Sequence, residues 1–424
     1  MTNQNITNRQ VSLREFTAVA GKIGLLSFGG PAAQIALMQD ELIDKRNWIS
    51  QVDFLRALSF CMLLPGPEAM QLATYLGWRL HGVRGGLIGG SLFILPGALV
   101  IFILALAYVK FGQNPWSVAA FTGIKACVVV IVVQALIKIS KRTLRTPMAW
   151  AIATASFGAI TIGDISYPWV VLGAGIWGML MLPGEAHPPQ VDEHNQSSTL
   201  TISAFLAVAW ATPLALLWLL RDTFLTKIVL VFSTLAVVTF GGAYAVLNYL
   251  GQTAVAQLKW LTAPQMIDAL GLAETTPGPL ILVTQFVGFL AGYQAGGLGL
   301  ALLAGLLTLW VTFIPCFLWI FLFAPRLEQL MSVAWLARTL AGITAAVVGV
   351  IASVSVWFAS RTWFKVQSSF TLGTLNVNLP QWQTLDGLAL CLSAIASALV
   401  IWWKWDILWI LPAVAFLSVE ISFA

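Results

Sequence analysis

Long apolar runs follow one another along this chain, with short polar interruptions and no strict apolar/polar alternation. Such runs predict membrane helices and exclude barrel strands, because only these two structures satisfy their backbone in lipid. Segments 12–30 and 31–44 read as an out-and-back pair, 87–110 and 116–138 as full spans, 148–162 and 167–182 as a second short pair, and 200–220 as a further crossing. An uncharged polar loop is expected over 366–385.

The pattern breaks at "FCMLLPGPEAMQLATYLGW", residues 60–78, where Pro65-Gly66-Pro67 is followed by Glu68. Proline removes a backbone donor and ends a helix. Upstream, Ser50-Gln51-Val52-Asp53 has the form of a capping box, so a helix opens near residue 51 and stops by Pro65. Its length of roughly 20 Å, at 1.5 Å per residue, cannot cross a core of about 30 Å. The segment from 68 to 80 is equally short. Two half-length helices meeting at Pro-Gly-Pro predict a re-entrant hairpin or broken helix pair that reaches mid-membrane.

Composition strengthens this reading. The chain is 59% hydrophobic and 9% charged, with a mean hydropathy of +0.86, whereas a soluble domain carries about 25% charged residues. The net charge of +5 is uneven, with 14 of 22 Lys and Arg before residue 148. In such a chain this asymmetry bears on orientation and not on nucleic acid. The cluster Lys138, Lys141, Arg142 and Arg145 therefore marks the cytoplasmic side. No cleavable signal is expected in the polar residues 1–11, so the first apolar segment reads as a genuine span. The four cysteines are scattered without a CxxC, so disulfides, metal sites and cofactors are not expected, and buried small apolar residues are. Neither GxSG nor HExxH occurs, and His81 is the only histidine outside the segment 183–198, which argues against an enzyme.

The broken element recurs. Phe28-Gly29-Gly30 returns as Phe240-Gly241-Gly242, Pro65-Gly66-Pro67 as Pro277-Gly278-Pro279, and Trp48 as Trp260, each 212 residues later. Over 28–67, 10 of 40 positions are identical without a gap, so the chain is a duplication. Thr262-Ala263-Pro264-Gln265 repeats the cap, and from Pro96 onward the offset becomes 219, with Pro315 as partner. The polar, Pro-rich stretch 183–198 divides repeat 1 (1–182) from a crossing helix plus repeat 2 (199–424). Counting crossings leaves repeat 2 upside down relative to repeat 1. The expected fold is an all-α polytopic membrane protein of two homologous inverted-topology repeats, each with a re-entrant half-helix hairpin, an organisation typical of secondary transporters.

Intramembrane ionisable residues are functional candidates by default. Repeat 1 offers Lys22, Arg56, Glu68 and Lys125. At the repeat offsets these meet Thr234, Asp268, Leu280 and Thr344, so the scaffold is symmetric and the charge is not. Cations together with half-helix N-termini suit an anion. The glycines Gly29, Gly30, Gly66, Gly241, Gly242 and Gly278 would let backbone amides approach it, and Thr275 and Thr276 would add hydroxyl donors. Glu68, Asp268 and Glu274 are the candidates for proton coupling. Each has a plainer reading: Lys22 snorkelling to the interface, Arg56 pairing with Asp53, Glu68 favoured by the helix dipole, Asp268 and Glu274 in internal pairs, and the glycines in helix packing.

The strings "SFGGP" (27–31), "LLPGPEAMQLATYLGW" (63–78), "GGLIGGSLFILPG" (85–97), "TFGGAYAVL" and "TTPGPLILVTQFVGF" resemble the chromate ion transporter (CHR) family, specifically its long-chain, two-repeat members. The resemblance covers essentially the whole chain. It implies a bacterial inner (plasma) membrane protein that exports chromate and gives chromate resistance, with sulfate, an isosteric dianion, as competitor. An inside-negative potential favours export of a dianion by about 4.6 kcal/mol per 100 mV. The corresponding expectation is alternating access, with the ion between the two broken hairpins. The alternatives are uptake of sulfate or a related oxyanion by proton symport, and a membrane scaffold without transport. A homodimer and a monomer both remain open.

Overall fold

In the computed structural model, residues 11–182, 196–240, 243–326, 333–372, 375–403, 405 and 407–424 are described. The linker 183–198 therefore lies largely outside the described residues, and its last three residues already begin a helix.

The chain opens with α1 (Leu13–Leu26), capped by Ser12, whose hydroxyl accepts from the Glu15 amide. α2 (Gly30–Gln39) follows and ends in a π turn, Asp40–Asp44. α3 (Gln51–Cys61) starts where the cap at Ser50 predicts. After the Pro-Gly-Pro break comes α4 (Glu68–Phe111). At 44 residues α4 is far too long for one crossing, and it breaks at His81 and Gly82 into a half-helix and a full span. The two arms fold back on each other where glycines allow it. A Cβ on Gly77 would lie 2.3 Å from the Gly85 carbonyl oxygen, so any larger residue would push the arms apart.

α5 (Pro115–Thr143), α6 (Pro147–Thr161) and α7 (Tyr167–Met181) complete the first half, and α8 (Gln196–Leu219) crosses to the second. The same order then recurs: α9 (Thr223–Val238), α10 (Ala243–Leu250) with its own π turn Gly251–Gln257, and α11 (Ala263–Glu274). α11 opens with a complete Thr262/Gln265 capping box. α12 (Val283–Phe323) breaks at Gly296 and Gly297, as α4 does at His81 and Gly82. α13 (Ala334–Trp363), α14 (Gly387–Ile401) and α15 (Ile407–Phe423) close the chain.

Among the described residues, five helical segments are long and apolar enough to cross a bilayer. Their outward surface carries large apolar side chains, including Leu99, Ile103, Trp310 and Val356. This is a helical, multi-pass membrane protein.

α4 and α12 pack together at the centre, with α1 against α4 and α9 against α12. The buried aromatic residues Phe93, Phe286, Phe289 and Phe321 belong to this core. The outer helices are exchanged. α5 packs against α14 and α15 of the second half, while α13 packs against α6 and α7 of the first.

Two expectations change. The loop 366–385 holds an antiparallel hairpin, β1 (Gln367–Leu372) with β2 (Leu375–Pro380). The alternation Leu375-Asn376-Val377-Asn378-Leu379 carries that signal. Cys391 is exposed, unlike the buried Cys61, Cys127 and Cys316, because it sits on the outer face of α14.

Candidate functional site

The two breaks meet the ends of two other helices. A helix leaves its last carbonyls without intrahelical donors. The carbonyl of Ser27, which caps α1, accepts from the Gly278 amide at 2.8 Å. The carbonyl of Thr239, which caps α9, accepts from the Gly66 amide at 2.7 Å. Each Pro-Gly-Pro tip thus closes a helix of the opposite half. Gln34 reinforces one junction, its side-chain amide donating to the carbonyls of Gly278 at 2.7 Å and Ser27 at 3.2 Å. Gln71 donates to the Pro65 carbonyl at 2.8 Å. Contact at the tips is tight: a Cβ on Gly97 would fall 2.0 Å from the Pro277 oxygen.

Beside this junction opens a cavity of about 610 Å³. Its wall comprises Gly29, Gly30 and Pro31 at the start of α2, Ser59 and Met62 from α3 and the turn after it, Glu68 at the start of α4, and Tyr244 on α10. Ile131, Gln134, Lys138 and Arg142 of α5 and Ala337, Leu340, Ala341 and Thr344 of α13 complete it. Lys138 and Arg142 are exposed, so the cavity opens at the basic end of the bundle. Gly29 and Gly30 have φ of +81° and +78°, a backbone that glycine adopts readily. The Tyr244 hydroxyl stands near them and donates to Glu274 Oε1 at 3.0 Å, behind the wall. Glu274 Oε2 is buried without a hydrogen-bond partner among the described residues.

A second polar centre lies toward the other end of α5. Tyr108 of α4 donates to Asp268 Oδ2 at 2.9 Å, and Lys125 Nζ stands 3.5 Å from Asp268 Oδ1. Both side chains of the ion pair are largely buried. This triad ties α4 and α5 to α11.

The candidates therefore separate. Gly29, Gly30 and Glu68 face the cavity. Lys125 and Asp268 come together, away from it. Lys22 is paired with Glu41 at 2.8 Å, in a hub where Glu41 also receives Lys45 at 2.9 Å and Arg46 at 2.6 Å. Arg56 is exposed on α3, and Asp53 pairs instead with Arg79 at 3.5 Å. The amides of Gly66 and Gly278 are engaged by Thr239 and Ser27 and are not open to a ligand. The Thr275 and Thr276 hydroxyls donate back to Leu272 and Ala273, capping the end of α11. Gly241 and Gly242 lie outside the described residues.

In the sequence Lys138 and Arg142 read as orientation signals only, and Tyr244 does not stand out. The polar positions Gln134, Lys138 and Arg142 recur at four-residue spacing on α5, which places them on one helix face. That stripe inside an otherwise apolar helix is the signal for the cavity wall.

The chain matches the family model described as chromate transporter over residues 14–179 and 226–419. It is 33% identical over 359 residues to the chromate transport protein of Pseudomonas aeruginosa, covering 82% of this chain and 81% of that one. It is 29% identical over 399 residues to the probable chromate transport protein of Synechococcus elongatus, covering 93% and 96%. To the chromate transport protein of Cupriavidus metallidurans it is 29% identical over 352 residues, covering 83% and 84%. No solved structure matches the chain.

Proposed function

The chain belongs to the chromate transporter family, and from that premise we propose that it carries chromate out of the cell by alternating access. The observation that carries this reading is the cavity beside the crossed tips. It is open at the basic end, and Lys138, Arg142 and the Gly29-Gly30 turn line it. A cationic mouth concentrates anions. A helix start offers unpaired amides to an oxyanion at its base.

The basic end is cytoplasmic by the positive-inside rule, in the inner membrane of a bacterial cell. The cavity is then an inward-open vestibule, and the Lys125–Asp268–Tyr108 triad holds the outer end shut. The two halves, 1–182 and 199–424, are inverted repeats, which the recurring element order and the exchanged packing of α5 and α13 support. Two such repeats build two mirror-related paths, of which one is open at a time. Closing the vestibule while parting Lys125 from Asp268 delivers the ion outside. Glu274, reached from the cavity through the Tyr244 hydroxyl, is the group placed to take a proton during the return. Export gives resistance to the ion.

The test is flux of chromate in proteoliposomes under an imposed potential. Outward movement of negative charge, driven by an inside-negative potential, is the expected result. Accumulation of chromate against an inside-negative potential, dependent on a proton gradient, marks uptake by symport and overturns the export reading.

A further inference from the structure

Taking the cavity as the inward-open path, as proposed above, we infer that Arg56, Ser59 and Thr344 form its inner gate. The vestibule closes when the face of α3 that carries Leu55, Arg56 and Ser59 docks on α13. That movement is the counterpart of the docking of α11 on α5 at the other end.

The half-helices α3 and α11 correspond at the offset of 212, and α5 and α13 correspond at 219. α11 packs against α5. On its docked face Ile267 is 0% exposed and Asp268 5%. Gly271 is so close to α5 that a Cβ there would fall 2.2 Å from Ile124 Cγ2. The corresponding residues of α3 are Leu55, Arg56 and Ser59, and all three are exposed, Leu55 by 48%. α3 packs against α4 and makes no comparable contact with α13. The space between α3 and α13 is the vestibule itself. Ser59 and Met62 stand on one side of it, and Ala337, Leu340, Ala341 and Thr344 on the other. The same face of the repeated half-helix is thus docked in one half and open in the other.

The two gates differ in chemistry. At the outer one Lys125 meets Asp268. At the inner one the corresponding positions hold Thr344 and Arg56. Asp53, one turn earlier on α3, pairs with Arg79. α13 carries no acidic residue. Glu68, the acid of the vestibule wall, interacts electrostatically with Arg142. Docking therefore takes the Arg56 cation out of water with no acid placed opposite it, which is unfavourable. Ser59 also carries a side chain where Gly271 has none, and Ile343 stands where Ile124 does. α3 then approaches α13 less closely than α11 approaches α5. Both differences weaken the inner gate relative to the outer one, so the protein rests open toward its basic end. Once the ion has left on the outside, the inner gate opens and the Lys125–Asp268 pair re-forms.

The test transplants the outer pair into the inner gate of the full chain. Cys391→Ser removes the exposed thiol, and Leu63→Cys places a reporter in the vestibule wall. A water-soluble maleimide then labels the reporter from the basic side. Arg56→Asp together with Thr344→Lys sets the outer gate's residue types at the inner positions. This double variant should slow labelling by about fivefold or more, and by more than its two single variants multiplied together. Labelling as fast as in the reporter protein, or slowing equal to the product of the singles, overturns the inference.

A second measurement decides if the double variant does not fold. Ser59→Cys and Thr344→Cys, combined in the Cys391→Ser protein, can form a disulfide only when their Cα atoms come within about 7 Å. Oxidation should join them and abolish chromate flux, while the same oxidation leaves the flux of either single cysteine variant as it was before treatment. No disulfide, or a disulfide that leaves flux intact, overturns the inference. A wild type that moves no chromate overturns the transport reading itself. Maleimide labelling reads the gate without flux and keeps the two failures apart.

Discussion

The amide of Gly66 donates to the carbonyl of Thr239 at 2.7 Å, joining the break of the first half to the end of α9 in the second. The bond from Gly278 to Ser27 is its counterpart, with both partners shifted by the same 212 residues. Two elements that lipid would otherwise penalise, a broken helix and an open helix end, satisfy each other across the middle of the protein. The crossing also explains why the cavity forms there: the tips hold the starts of α2 and α4 side by side.

Substitution at the tips should be costly. Gly66 and Gly278 have φ of +123° and +89°. A Cβ on Gly66 would lie 3.0 Å from Cys316 Sγ and from Gln71 Nε2. Gly66→Ala and Gly278→Ala should each lower stability by ~1–3 kcal/mol, read as thermal unfolding in detergent. Gly21→Ala is the control, since nothing lies within 4 Å of its added Cβ, and it should be neutral or stabilising by up to ~1 kcal/mol. Equal behaviour of the three variants would contradict the role given to the tips.

The Lys125–Asp268 pair should show energetic coupling. Removing one partner of a fully buried pair costs about 3–5 kcal/mol. Lys125 keeps 20% of its side chain exposed, so about 1–3 kcal/mol is expected for Lys125→Ala or Asp268→Ala alone. The double variant should lose less than the sum of the two. Strict additivity in the cycle would mean that the pair does not hold the outer end together.

Tyr244→Phe removes the hydroxyl that Glu274 accepts from and leaves a buried carboxyl unpartnered among the described residues. A destabilisation of about 1–3 kcal/mol follows. Glu274→Gln keeps an acceptor for the Tyr244 hydroxyl and should cost less. The reverse ranking in thermal unfolding would place the importance of this pair elsewhere.

Lys138→Gln and Arg142→Gln should slow chromate entry from the basic end by about three- to tenfold at low salt, through loss of electrostatic attraction. Because both side chains are exposed, the difference should shrink as ionic strength rises and the Debye length falls to about 3 Å near 1 M. A defect independent of salt would argue for direct ligation of the ion and against steering.

The scaffold was legible in the sequence because its signals are local. Ser50, Thr262 and the two Pro-Gly-Pro strings each fix a helix start or stop by backbone chemistry alone. The site was legible only in part, because its polar groups choose partners across long separations. Nothing near Lys22 in sequence announces that Glu41 gathers three cations. Nothing near Asp268 announces Tyr108, 160 residues away. Glycine spacing identified the tips, but whether their amides face a ligand or a carbonyl depends on the opposite half. Of the cavity's polar groups, Gln134, Lys138 and Arg142 are the ones written into the sequence as a periodicity.

The exchanged packing of α5 and α13 has a consequence for biosynthesis. When the ribosome has delivered α6 and α7, the helix that covers them, α13, is not yet made. α5 likewise waits for α14 and α15. Neither half can reach its final packing first, so the newborn chain must be held in the bilayer, loosely assembled, until its last helices arrive. A gene cut between the codons for residues 182 and 196 should yield two pieces that are degraded when made singly and survive when made in the same cell.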